Sequence, residues 1–163
     1  MMPRAKLILP LMLSLLCSVA EGQVPVTPAA RPETLQASPD AKLANNKKLV
    51  SDFWREVVDA GQIEQIEKYV AENYIQHNPN VATGRRALAE QIAKNVKRQA
   101  VQARIKAPVV SIVAEGNLVV VSLVSEIPDP ADSSKTYTTT WFDMFRIENG
   151  KIVEHWDSAL KLP

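Results

Sequence analysis

From about residue 40 the apolar positions of this chain follow mainly a helical period up to about residue 96 and a strand-like period after it. Leu43, Val50, Phe53, Trp54, Val57 and Val58 recur at helical spacing. Ser38 or Asp40 offers a side-chain oxygen to cap the first turn, and Gly61 can end the helix. A second, shorter helix carries Ile63, Ile66, Tyr69 and Val70 on its apolar side, after which Tyr74-Ile75-Gln76-His77-Asn78-Pro79 reads as an extended segment that Pro79 stops. Thr83 is placed to cap a third helix, whose Leu88, Ile92 and Val96 form one stripe opposite Arg86, Lys94 and Lys97, a solvated basic face.

Strands are expected at residues 101–114, 118–127, 136–147 and 152–157, separated by a Glu115-Gly116-Asn117 turn, a Pro128-Asp129-Pro130 loop and a Glu148-Asn149-Gly150-Lys151 turn. Helices first and a meander last predict an α+β domain, an antiparallel sheet curled around a helix layer.

The last hairpin, Trp141 to Asp157, carries three ionisable residues, Asp143, His155 and Asp157, in strands otherwise built for burial. A three-residue loop with a bulge at Gly150 sets Asp143 opposite His155 and puts all three on one face with Trp141, Phe145 and Val153. A two-residue type I′ turn pairs Glu148 with Lys151, sets Asp143 opposite Trp156 and sends His155 and Asp157 to the other face. Asn-Gly is compatible with either turn; the first register is preferred, partly because of a family resemblance described below.

Composition narrows the setting. Arg4 and Lys6 precede an apolar run from Leu7 to Ala20, short for a membrane span, and Ser18-Val19-Ala20 has the small residues of a cleavage site. Residues 1–20 therefore read as a signal peptide, and the protein is expected to be exported, periplasmic or secreted. Cys17 follows Leu16 where a lipoprotein signal would carry a small residue, and cleavage after Ala20 removes it, leaving neither a disulfide nor a thiol nucleophile. Loss of Arg4 and Lys6 takes the basic count from 19 to 17 against 18 acids, a balance that argues against nucleic acid and anionic membrane as partners. Residues 21–39, with Pro25, Pro28, Pro32 and Pro39, show neither period and read as a tether or disordered arm, which leaves residues 40–163 as one domain.

A carboxylate on the inner face of such a sheet loses hydration, which favours its neutral form unless a cation or donor stands near. Asp143, His155 and Asp157 in an apolar hollow walled by Trp141, Phe145 and Trp156 could move a proton. The bland alternative is a hydrogen-bonded network that only fixes the hairpin. His77, in the polar island Gln76-His77-Asn78, is a second candidate base at a cavity rim, and Tyr74 could offer a phenolic donor. Phe53 and Trp54 read as core. No short metal-ligand pair, Gly-rich phosphate loop or G-x-S-x-G elbow occurs, so neither a metal nor a cofactor is expected.

The pattern Tyr74-x-x-His77-x-Pro79, a helix led by Gly84, and Asp143-x-Phe145-Arg146-x-x-x-Gly150-Lys151-Ile152-Val153-Glu154-His155-Trp156-Asp157 resembles the SnoaL-like branch of the nuclear-transport-factor-2 superfamily, from about residue 40 to the end. The resemblance implies a cone: a bent antiparallel sheet closing over helices around a ligand cavity, often dimeric through the sheet. Its members include isomerases, polyketide cyclases, epoxide hydrolases, dehydratases and binding domains. The Asp143 segment also resembles the ketosteroid isomerases, where the corresponding strand aspartate is kept protonated and stabilises an enolate. The aspartate that serves them as base is replaced here by Asn78, with His77 beside it.

These readings predict an exported protein that abstracts a proton next to a carbonyl, in aldol-type cyclisation or isomerisation of a small hydrophobic or carbonyl-containing ligand. His77 or His155 would be the base, Asp143 the donor to the enolate, and Asp157 would orient a histidine; Tyr74, Asn78, Trp141, Phe145 and Trp156 would line the ligand. The rivals are a non-catalytic binding module and a homodimeric assembly protein of the same fold.

Overall fold

The computed structural model describes residues 23–162; the expected signal peptide lies outside them. Helix α1 (Ala41–Phe53) begins at Asp40, whose carboxylate accepts from the backbone N–H of Lys42 at 2.7 Å and Leu43 at 3.1 Å, and runs on through a π-helical turn, Trp54–Asp59. Gly61, at φ 63°, breaks it as expected. A single helical turn, α2 (Ile66–Tyr69), leads into β1 (Val70–Gln76); α3 (Arg85–Asn95) follows, then β2 (Val109–Glu115), β3 (Leu118–Pro128), β4 (Thr136–Glu148) and β5 (Lys151–Asp157).

The five strands form one sheet in the order β1-β5-β4-β3-β2. All neighbours are antiparallel except β1 and β5, so the sheet is mixed rather than wholly antiparallel. Its inner face meets α1: Val50, Phe53 and Val57 pack with Val119, Val121, Phe145 and Ile152, all buried. Each such side chain contributes roughly 1.5–3 kcal/mol by leaving water. Phe53 and Trp54 are core as expected, both meeting the Phe145 ring at about 6 Å.

Two local expectations change. Thr83 does not cap α3, which starts at Gly84; its hydroxyl instead donates to the Tyr74 carbonyl and accepts from the Gln76 N–H, stitching the loop to β1. The strand expected from Val101 begins only at Val109. Residues before it are held by the end of α1 instead, with Lys106 N–H donating to the Asp59 carboxylate and the Arg55 guanidinium to the Gln102 carbonyl.

The arm at residues 23–39 is docked rather than loose. Val26 N–H donates to Thr138 Oγ1 at 2.7 Å and Ala29 N–H to the Val109 carbonyl at 2.8 Å, while the Lys47 ammonium donates to the Leu35 and Ala37 carbonyls. Between the arm (Pro32, Leu35), α1 (Ser51, Arg55) and β2 (Val109, Ile112) lies a cavity of about 460 Å³.

Candidate functional site

The turn that positions the site is the one the sequence reading ranked second. Asn149 and Gly150 both have positive φ, 50° and 69°, the signature of a two-residue type I′ turn, and Glu148 pairs with Lys151. That register alone would put His155 and Asp157 on the face opposite Asp143. It does not persist, because Ile147 pairs with Ile152 but Arg146 with Glu154, leaving Val153 as the extra residue of a bulge. Beyond the bulge Phe145 faces His155, and Asp143 faces Asp157 rather than His155. The three ionisable groups thus share the inner face with Trp141 and Phe145; Val153 drops out of that set.

Asp143 and His155 are only 6 % and 7 % exposed, and His155 Nε2 lies 2.9 Å from Asp143 Oδ1 on the diagonal. Asp143 Oδ2 is buried without a partner among the described residues. Asp157 is half-buried, and a ring nitrogen of His155 and one carboxylate oxygen from each aspartate lie within 4.8 Å of one another. Asp157 accepts from Asn78 Nδ2 at 2.7 Å and from Ala159 N–H at 2.9 Å, so its polar partners are not histidines. The His155 ring leans on Phe145, centroids 4.7 Å apart.

β1 completes the cluster. Its parallel pairing sets Gln76 beside His155, and Gln76 Oε1 lies 2.8 Å from His155 Nδ1. Tyr74, two residues earlier on the same face, is buried, and its hydroxyl accepts from Gln76 Nε2 at 3.1 Å. Burial, with the nearby Asp157 and Asp143 charges, pushes the Tyr74 phenol well above its ordinary pKa.

His77 goes elsewhere. Its side chain is 45 % exposed, bonded to Glu154 Oε1 at 2.7 Å and stacked on Trp156 with centroids 5.1 Å apart. Arg146 pairs with the other Glu154 oxygen and sits over the same indole. His77 and Trp156 therefore belong to an outer cluster, and Trp156 is not a wall of the inner site. Gln76 is the residue the sequence reading missed. Strand alternation carried the signal, because Tyr74, Gln76 and Asn78 share a parity that His77 does not.

None of the expected site residues lines the 460 Å³ cavity. Ile112, which lines it, pairs with Val121, and Val121 pairs with Asp143, so the cavity and the acids lie along one row of the sheet, two strands apart.

A family model, SnoaL-like polyketide cyclase, matches residues 48–162. The chain belongs to the SnoaL-like polyketide cyclase family. Solved structures agree with a SnoaL-like fold: a protein of Acidithiobacillus ferrooxidans assigned as a polyketide cyclase is 20% identical, with a TM-score of 0.50 over 74% of this chain and 89% of its own. TsrD from Streptomyces laurentii is 19% identical, with a TM-score of 0.50 over 74% and 90%. At such identities the likeness concerns the fold. A search of curated proteins finds no match. Membership in the SnoaL-like family supports a cyclase- or isomerase-like function on a small molecule.

Proposed function

We propose that this protein is an exported SnoaL-like enzyme that removes a proton next to a carbonyl, leading to aldol-type ring closure or isomerisation. The observation that carries the reading is the gathering of Asp143, His155 and Asp157 on one largely dry sheet face, with a 2.9 Å bond between the first two. Asp157 is the half-buried member and hence the one a substrate reaches first, which makes it the base. The buried Asp143–His155 pair holds a proton behind it, and the Tyr74 hydroxyl donates to the enolate oxygen. This reassigns the roles expected from sequence: the base moves from a histidine to Asp157, and His77 acts outside the site.

The test is deuterium incorporation from D₂O into a β-dicarbonyl probe, followed by proton NMR. Asp157→Asn, Asp143→Asn and His155→Ala, each confirmed folded by circular dichroism, should slow exchange by roughly 10²–10⁴-fold, the usual contribution of acid–base groups. Unchanged exchange in all three rejects the assignment. A second reading, a non-catalytic binding module, is favoured by one observation, the 460 Å³ cavity between the arm, α1 and β2, which is within the size range of ligand sites. It requires that the wild type itself show no exchange above buffer.

A further inference from the structure

Gln76 connects the polar groups of the inner site although its own side chain has no acid–base chemistry. The orientation of its amide is fixed by Asn78, whose backbone N–H lies 3.0 Å from Oε1; a backbone N–H can only donate, so the atom facing it is the oxygen. That same oxygen lies 2.8 Å from His155 Nδ1. An amide oxygen brings no proton, so Nδ1 must carry one and donate it.

We infer that Gln76 is a positioning residue that locks His155 in the Nδ1–H tautomer and so aims the Nε2 lone pair at Asp143. This deepens the proposed reading of the cluster as the reactive site and rests on it. When the imidazole is neutral, Nε2 can only accept, so the hydrogen on the 2.9 Å line to Asp143 Oδ1 belongs to the carboxyl group; when the imidazole is charged, Nε2 holds it. Either way the pair shares one proton along one fixed direction.

The other end of the amide has a matching effect. Gln76 Nε2 donates to the Tyr74 oxygen, which leaves the Tyr74 O–H as a donor with no acceptor among the described residues. A buried donor without a partner is costly, and a substrate oxygen would relieve it. A single amide therefore sets both the acceptor nitrogen and the free hydroxyl of the site.

Histidine side-chain NMR tests this without any substrate. The chain has two histidines, and a His77→Asn variant assigns them. In long-range proton–nitrogen correlations of ¹⁵N-labelled protein, recorded with the imidazole neutral, His155 should show a protonated Nδ1 and an unprotonated Nε2. Gln76→Leu should lose that pattern, giving mixed tautomers or the Nε2–H form. Gln76→Glu keeps an oxygen acceptor and should restore it. An Nε2–H tautomer in the wild type overturns the inference, and so does an unchanged pattern in a folded Gln76→Leu; if the leucine variant does not fold, the wild-type and Gln76→Glu spectra decide. Asp157→Asn should slow exchange of the carbonyl probe yet leave the tautomer intact, so failure of the functional reading and failure of the lock give different results.

Discussion

Asp52 on α1 shows how a single carboxylate ties stability to pH. Burial works to raise its pKa, but hydrogen bonds and charge from Lys48 and Arg55 outweigh burial and hold it below the ordinary value. A depressed folded-state pKa contributes stability that is present above the unfolded value, about 3.9, and is lost as pH falls through the folded one. Asp52→Asn should therefore cost a few tenths to about 1 kcal/mol at pH 7, partly exposed pairs being screened, and should flatten the acid limb of stability. Urea titrations at pH 7 and pH 3 check this, and an equal loss at both would contradict it. Asp59 has the opposite sign, since burial exceeds the bond from Lys106 N–H and raises its pKa. At this scale the identity of Asp143, His155 and Asp157 as candidates was legible, because ionisable residues stood out in apolar strands. Gln76 was not, since an amide attracts notice only once its partners are known.

At the scale of elements, glycines with positive φ decide where helix and hairpin turn. Gly150 sits at φ 69° with open space where a Cβ would go, so Gly150→Ala should lose about 1 kcal/mol, the backbone cost alone. Gly61, at φ 63°, would bring a Cβ to 3.1 Å from the Val96 carbonyl oxygen, and Gly61→Ala should lose a further 1–3 kcal/mol or so from overpacking. Unfolding midpoints in urea compare the two, and equal losses would show that the Val96 segment gives way freely. Helix α1, its Asp40 cap and four of the strands followed from period and turn chemistry. The bulge at Val153 did not, because a hairpin sequence specifies its turn more strongly than the partner of each residue beyond it. β1 was seen as an extended segment, yet its parallel place beside β5 depends on chain paths far apart in sequence.

For the molecule as a whole, export is the expectation with the most direct consequence. If the signal reading is right, intact mass spectrometry of the protein recovered outside the cytoplasm should show a chain starting near Glu21; a chain retained inside with residues 1–20 attached would reject it. The arm that would follow the cleavage point lies against β2, β4 and α1, so the mature protein would begin with a segment already part of its surface. By itself the sequence determined the α+β class, the helix-then-meander order, the family resemblance and the acidic, imidazole-bearing hairpin, because period, turn residues and motif spacing are properties of neighbours along the chain. Only the tertiary structure decided that His77 leaves the site, that Gln76 enters it, that the arm docks and that a cavity opens between the arm, α1 and β2. Those outcomes depend on which segments, far apart along the chain, meet across the sheet and beside the helix, and in the last hairpin a one-residue bulge decides which side chains share a face.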